Sequence, residues 1–204
     1  MSTSKHPFSK RFRGFYPVVV DVETGGFNAG TDAILECAAV LIEMDENGHL
    51  VPGETIAHNI EPFEGANIDP ASLKFTGIRL DSALRMAVSE TEGLTDIFKH
   101  VRAGIKKYDC QRGVLVGHNA WFDRTFMRAA ALRAGIKRDP FHPFTSMDTA
   151  TLSGACLGHT VLAKALKLAN IDYDNKEAHS AIYDAECTAK LFCYLINERL
   201  RYAE

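Results

Sequence analysis

Two acidic side chains close a short apolar stretch near the start of the chain. Val18 to Val20 are β-branched, which predicts a buried strand, and Asp21 and Glu23 follow directly. Side chains two positions apart on a strand share a face, so both carboxylates point the same way. Buried like charges repel, and a divalent cation that prefers hard oxygen ligands, such as Mg²⁺ or Mn²⁺, is the simplest stabilising partner. The pair indicates metal chemistry, but the same spacing also occurs in phosphatases with an aspartyl nucleophile and on solvated strand ends.

Three later residues are candidates for the same site. Asp123 begins a predicted helix after a short strand, Asp184 lies in the last predicted helix, and His179 precedes that helix on a predicted loop. Each has an ordinary explanation when it is considered alone. Asp123 would interact with the helix dipole, Asp184 would be a solvated surface acid, and a single histidine is usually structural or exposed.

The order and spacing of these five residues are more specific than any one of them. They resemble the DEDD exonuclease superfamily, in the branch that has a catalytic histidine, and the phosphatase pattern fits the chain poorly. The resemblance implies a ribonuclease-H-like fold and hydrolysis of phosphodiester bonds from the 3′ end. It also implies that two Mg²⁺ ions, for which Mn²⁺ can substitute, are held by four carboxylates: Asp21, Glu23, Asp123 and Asp184. His179 would be the general base, because an imidazole with an ordinary pKa of about 6.5 can accept the proton of the attacking water.

The elements that position these residues are predicted from hydrophobic periodicity and turn signals. Three strands linked by short turns, one of them containing Asn47-Gly48, indicate an antiparallel arrangement. The predicted strands span 18–23, 34–42, 55–60, 114–116 and 144–147. The predicted helices span 70–75, about 94–105, about 123–133, 149–156, 161–168 and about 180–201. The expected fold class is α/β, with a mixed central sheet of antiparallel strands 1–3 and further parallel strands, flanked by helices.

Length and composition limit the possible classes of protein. The 204 residues suit one domain, 1–204, with a basic N-terminal arm at 1–15. A net charge of -3 does not indicate attraction of the whole surface to nucleic acid, so local basic patches would have to bind it. Five cysteines without a C-x-x-C pair favour a reducing compartment. With no apolar run of membrane-spanning length, we expect a cytoplasmic protein without a membrane partner.

Two stretches resemble a narrower group within the superfamily, which trims the 3′ ends of tRNA and other structured RNAs. They read RFRGFYP at 11–17 and PFHPF at 140–144. This resemblance implies four phenylalanines that stack on the last bases: Phe27, Phe75, Phe122 and Phe144. It implies a homodimer in which a basic patch of one subunit serves the active site of the other: Arg11, Arg13, Lys106, Arg112 and Lys137. Ala71 stands where a member of this group has a glutamate, so the resemblance does not predict which terminal base this chain prefers.

The combined prediction is a magnesium-dependent 3′→5′ exoribonuclease that trims tRNA and other structured RNAs and releases nucleoside 5′-monophosphates. Single-stranded DNA is a second candidate substrate. The enzymatic alternative is a related DEDD nuclease, either an oligoribonuclease or a polymerase proofreading subunit. The alternative from another class is a catalytically silent RNA-binding module. The basic arm and the predicted stacking residues favour the RNA-trimming enzyme, and the intact set of five catalytic residues argues against the silent module.

Overall fold

The computed structural model describes residues 6–200, which form a five-stranded sheet flanked by helices. The strands are β1 (Phe15–Thr24), β2 (Ile34–Met44), β3 (Leu50–Asn59), β4 (Arg112–Gly117) and β5 (Phe141–Asp148). Their order across the sheet is β3-β2-β1-β4-β5. β1, β2 and β3 pair antiparallel, whereas β4 pairs parallel with both β1 and β5. The predicted mixed sheet is confirmed.

Helices connect and cover the strands. They are α1 (Pro70–Thr76), α2 (Glu90–Lys107), α3 (Trp121–Arg133), α4 (Thr149–Leu157), α5 (Leu162–Leu168) and α6 (Ala181–Tyr194). The last predicted helix was too long, because α6 gives way to a π-helical turn at Leu195–Arg199, and 201–204 lie outside the described residues. None of the helices between residues 6 and 200 has the length and apolar character that a membrane span requires.

The start of β3 also differs from the prediction. The strand begins at Leu50 rather than at residue 55, and it includes Pro52, which lies opposite Ile42 beside an irregularity in the β2–β3 register. A proline is tolerated there because β3 is an edge strand, where a missing backbone donor costs no central hydrogen bond. The predicted turn at Asn47-Gly48 is present, and Gly48 has a positive φ of 81°.

The basic arm is ordered by aromatic packing. From residue 6 onward it forms short 3-10 turns, and Phe8 is fully buried. The Phe8 ring lies 5.7 Å from the ring of Tyr16 and 4.9 Å from that of Tyr108. Gly104 of α2 permits this packing, since a Cβ there would come within 2.2 Å of the Tyr16 ring. Positions 1–5 of the predicted arm lie outside the described residues.

The sheet brings the ends of two strands together. Val18 to Val20 are completely buried, as predicted, and Val19 lies beside Val116 in the parallel β1–β4 pair. The carboxyl ends of β1 and β4 therefore meet at the same edge of the sheet. The acids that close β1 and the loop that leads from β4 into α3 consequently lie next to each other.

Candidate active site

The four predicted metal ligands converge on one cleft of about 900 Å³. Asp21 and Glu23 come from β1, Asp123 from the first turn of α3, and Asp184 from the first turn of α6. Asp123 and Asp184 are only 4% and 8% exposed, so the explanation of Asp184 as a solvated surface acid is wrong. Asp123 does lie in the first turn of α3, where it can interact with the helix dipole. Asp123 Oδ1 accepts a hydrogen bond from the backbone N–H of Val22 at 3.1 Å, which joins α3 to β1 between its two acids.

The cleft concentrates negative charge. Burial raises the pKa of Asp21 well above its usual value, and the nearby carboxylates of Asp123 and Glu23 raise it further. Burial, with Asp184 and Glu36 nearby, raises the pKa of Glu23 to about 8. Burial also raises the pKa of Asp123. No ion pair formed between described residues includes any of these carboxylates. Their ionised forms therefore lack a compensating cation from the protein, which is the situation that a metal ion relieves.

The donor atoms suit the metals that the superfamily implies. Ligand atoms of Glu23, His179 and Asp184 lie within 4.8 Å of one another. Asp21 and Asp123 line the same cleft and add further carboxylate oxygens. Carboxylate oxygens are the ligands that Mg²⁺ and Mn²⁺ prefer, so the residues present fit these ions.

His179 lies on the loop before α6, as predicted, and it has a left-handed backbone with φ of 67°. Its backbone N–H donates to Asp184 Oδ2 at 2.9 Å. The centre of its imidazole ring lies 4.1 Å from that of the Phe75 ring, at the open side of the cleft. One turn of the chain therefore sets the positions of both the imidazole and the Asp184 carboxylate.

Two residues near Asp184 were missed from the sequence. The hydroxyl of Tyr173 donates to Asp184 Oδ1 at 3.2 Å. Glu36 lies opposite Glu23 in the β1–β2 register, and its Oε2 accepts the backbone N–H of Ala181 at 3.2 Å. Glu36 could have been found from the sequence, because antiparallel pairing of the first two predicted strands brings it opposite Glu23. Tyr173 carried no such signal, because its contact depends on how the loop before α6 folds back.

Three of the four predicted stacking residues lie together. Phe27 and Phe75 are 87% and 67% exposed, and with Phe122 they line a smaller cavity of about 330 Å³ beside Glu23. The centre of the Phe122 ring lies 6.3 Å from that of Phe27 and 4.8 Å from that of the core residue Phe126, so Phe122 joins the cavity to the core.

The other two residues of the predicted base pocket differ in position. Ala71 lines the smaller cavity. Phe144 lies on the edge strand β5, is 90% exposed, and lines neither this cavity nor the larger cleft. Within one chain, Phe144 is therefore not brought to the carboxylates, and its stacking role stays a prediction.

Asp148 supports the site from outside. Its carboxylate caps α4 and accepts the Thr151 hydroxyl at 2.6 Å and the backbone N–H of Asn119 at 2.8 Å. Burial alone would raise the pKa of Asp148, but these hydrogen bonds hold the pKa below its usual value. His118, next to Asn119, is fixed at both ring nitrogens by Thr149 and by the carbonyl of Thr160. The loop between β4 and α3 is therefore rigidly held.

The predicted basic residues lie at the opposite edge of the sheet. Phe15 and Arg112 pair at the first positions of β1 and β4, and six residues of strand, about 20 Å, separate Phe15 from Asp21. Lys106 lies in the last turn of α2, which ends at Lys107, and none of the five basic candidates lines the cleft. The guanidinium of Arg112 donates to the carbonyls of Phe141 at 3.0 Å and Asp139 at 3.3 Å.

Comparisons with known proteins identify the family of the chain. A family model described as "Exonuclease" matches residues 18–192. Ribonuclease T of Histophilus somni is 62% identical over 187 residues, which are 92% of this chain and 86% of that relative.

Solved structures show the same fold. Exonuclease I of E. coli in complex with a dT13 oligonucleotide has a TM-score of 0.68 at 20% identity; the match covers 91% of this chain and 41% of that one. The nuclease domain of 3′hExo, described as a DEDDh family member bound to rAMP, has a TM-score of 0.68 at 18% identity, with 91% and 97% covered. These likenesses confirm the ribonuclease-H-like fold. The chain belongs to the ribonuclease T family and is a 3′–5′ exonuclease, a hydrolase of phosphodiester bonds.

Proposed function

We propose that this exonuclease is a magnesium-dependent exoribonuclease that trims the 3′ ends of tRNA and other structured RNAs and releases nucleoside 5′-monophosphates. The observation that carries the proposal is the convergence of four carboxylates below a cavity lined by phenylalanine rings. Such a cavity accepts unpaired bases, because every base can stack on an aromatic face. Single-stranded DNA is a second candidate substrate for the same reason.

The proposed roles follow from the positions of the side chains. Asp21, Glu23, Asp123 and Asp184 would hold two Mg²⁺ ions, for which Mn²⁺ can substitute. When bound, such ions supply positive charge at the phosphate and lower the pKa of the attacking water. His179 accepts the proton of that water, and the Phe75 ring supports the imidazole from one side. Asp123 and Asp184 are held by backbone N–H groups of Val22 and His179, which orients their oxygens before substrate arrives.

Base stacking selects single-stranded ends. Phe27, Phe75 and Phe122 form the walls of the smaller cavity, and stacking contributes about 1–3 kcal/mol per base. A paired base cannot enter between these rings, so trimming stops near a duplex. Phe144 belongs to this set only if a strand that leaves the cleft, or a second copy of the chain, brings a base to β5.

The position of the basic residues supports a homodimer. Arg11 and Arg13 precede the start of β1, and Arg112 is the first residue of β4. Lys106 lies in the last turn of α2, and Lys137 lies in the segment between α3 and β5. None of the five lines the cleft that holds the carboxylates. In a homodimer, they would contact the phosphates of an RNA whose 3′ end enters the cleft of the other subunit. Phosphate contacts of this kind weaken steeply as salt rises.

The remaining assignments concern organisation and place in the cell. We assign one exonuclease domain to 1–204, with the basic arm as its first part. The five cysteines are all free, which supports a reducing, cytoplasmic environment.

The test is an RNA hairpin with a 3′ overhang and a label at its 5′ end, incubated with Mg²⁺ or with EDTA. We expect loss of single nucleotides in Mg²⁺ that stops near the duplex, and no loss in EDTA. A DNA strand of the same sequence measures the preference between the two substrates. An RNA that is bound in Mg²⁺ but never shortened would instead identify the silent binding module. Digestion of dinucleotides only would identify an oligoribonuclease.

A further inference from the structure

An exposed tryptophan stands at the mouth of the cleft. Trp121 is the first residue of α3, and its side chain is 67% exposed. A large aromatic side chain left this accessible gains little from burial, so core packing does not explain its presence.

Trp121 lies beyond the cavity that the phenylalanines form. It lines the larger cleft together with His118, Asn119 and Val161, but it does not line the smaller cavity beside Glu23. Its neighbour Phe122 lines both. The centres of these two rings are 5.8 Å apart, and the ring planes are inclined by 88°. Consecutive residues at the start of α3 therefore present aromatic faces to two adjacent parts of one cleft.

We propose that Trp121 is a second stacking platform, which holds the unpaired base on the 5′ side of the nucleotide being removed. This inference rests on the proposed function, since it requires a nucleic acid 3′ end in the cleft. In this proposal the smaller cavity takes the last base, and Trp121, which lines the adjoining larger cleft, takes the preceding base. Because the two rings are perpendicular, bases stacked on Trp121 and Phe122 cannot stack on each other. The phosphate that joins them is thereby presented to the carboxylates of Asp123 and its neighbours.

The rigid loop before α3 makes this platform effective. Asn119 donates its backbone N–H to Asp148, and His118 is held at both ring nitrogens. Trp121 itself is in the first turn of a helix, and its carbonyl accepts the hydroxyl of Thr125 at 2.6 Å. The backbone below the indole is thus ordered in advance, and little conformational entropy is lost when a base stacks there.

The chain offers a direct readout, because Trp121 is its only tryptophan. Fluorescence is measured on the Asp184→Asn variant in Mg²⁺, which keeps the substrate intact. A trinucleotide should quench the fluorescence, whereas AMP, which fills only the terminal cavity, should compete for binding without the same quenching. Quenching that appears on concentrating the protein alone would instead assign the indole to a contact between protein molecules and overturn the proposal.

The second test measures the kinetics of RNA trimming by variants that carry a single substitution and keep Asp184. Trp121→Ala should raise KM for a 3′-overhanging RNA by about 5- to 150-fold, and Trp121→Phe should restore most of the loss. Leu132→Ala, which removes a 71% exposed side chain from the far end of the same helix, is the matched control and should change nothing. An unchanged KM in Trp121→Ala, with normal trimming by the unmodified protein, would refute the platform and leave the proposed function intact. If the unmodified protein did not trim RNA in Mg²⁺, the proposed function would fail and the platform with it.

Discussion

At the scale of single residues, both oxygens of Asp184 are already engaged without a metal. Oδ2 accepts the His179 backbone N–H and Oδ1 accepts the Tyr173 hydroxyl. An asparagine can reproduce both bonds, because its oxygen accepts from the backbone and its amide can donate to a reoriented hydroxyl. What it cannot supply is the negative charge.

Asp184→Asn should therefore abolish trimming while leaving the melting temperature in metal-free buffer nearly unchanged. The measurements are the shortening of a 5′-labelled RNA and a thermal melt in EDTA. Glu46→Ala, which alters an exposed acid in the β2–β3 turn, is the control. A trimming rate equal to that of the unmodified protein would remove Asp184 from the site.

The proposed role of His179 as a base can be tested separately from metal binding. His179→Ala should slow trimming by about 10²–10⁴-fold, while Mg²⁺ still binds, because only the proton acceptor is lost. His179→Asn provides a second variant whose side chain tolerates the left-handed backbone at this position. Calorimetric titration with Mg²⁺ distinguishes the roles, since a variant that no longer bound the ion would show His179 to be a ligand instead.

The raised pKa of Glu23 links stability to pH. The folded, metal-free protein holds a proton up to a pKa of about 8, whereas the usual value is 4.5. The folded protein therefore favours the protonated form of Glu23, whose contribution to the free energy of unfolding is fully present below about pH 4.5. That contribution is lost as the pH rises through about 8. We expect the melting temperature in EDTA to fall across this window, relative to that in Mg²⁺, since the ion binds the charged carboxylates. Groups elsewhere titrate in both buffers, so parallel melting curves would contradict this prediction.

At the scale of secondary-structure elements, the start of α6 depends on a side chain from another strand. The first backbone N–H groups of a helix need acceptors, and Ser180 at the N-cap makes no side-chain bond. Glu36 of β2 supplies the acceptor for Ala181. It thereby holds the helix end from which Asp184 projects and before which His179 lies.

Glu36→Ala should lower both stability and turnover. Loss of a capping acceptor reduces the free energy of unfolding by about 0.5–2 kcal/mol. We also expect a lower kcat with little change in KM, because the catalytic groups are displaced while the stacking cavity is intact. Glu36→Gln keeps an acceptor oxygen and should recover most of both losses. Urea unfolding and steady-state kinetics provide the measurements, and equal damage by both variants would indicate that the charge of Glu36 matters instead of its hydrogen bond.

At the scale of the whole molecule, acidic and basic side chains lie at opposite ends of the strands. The carboxylates lie at one edge, and the basic residues lie at the other, where β1 and β4 begin. Because the net charge is -3, binding of RNA would depend on such a local patch, and only the proposed homodimer would bring the patch of one subunit to the cleft of the other.

Reversing the charge of Arg13, Lys106 and Lys137 together should raise KM for a long RNA far more than for a dinucleotide. These three side chains are exposed, and a dinucleotide is too short to reach them from the cleft. The dependence of KM on salt should also become weaker, because fewer phosphates are contacted. Lys190→Glu, on the exposed face of α6, is the control for added negative charge. Equal changes for both substrates would show that the patch does not bind RNA.

Local patterns explain most of the agreement between the predicted and observed elements. The β-branched run at Val18 to Val20 and the Asn47-Gly48 turn depend on neighbours in sequence, so both were found in place. The element boundaries that were predicted incorrectly depend on contacts with residues that are distant in sequence. Pro52 is tolerated only because β3 became an edge strand, and the last helix ends early in a π-helical turn.

The sequence by itself was enough to predict an exonuclease, because the types and order of five residues resemble those of the DEDD superfamily: Asp21, Glu23, Asp123, His179 and Asp184. Only the tertiary structure decided how these groups are arranged and supported. Contacts such as Glu36 with Ala181, 145 positions apart, arise from the packing of α6 on the sheet, and no local periodicity encodes them. The same holds for the exposed aromatic side chains: Trp121 lines the cleft because α3 begins there, whereas Phe144 lies outside it on the edge strand β5.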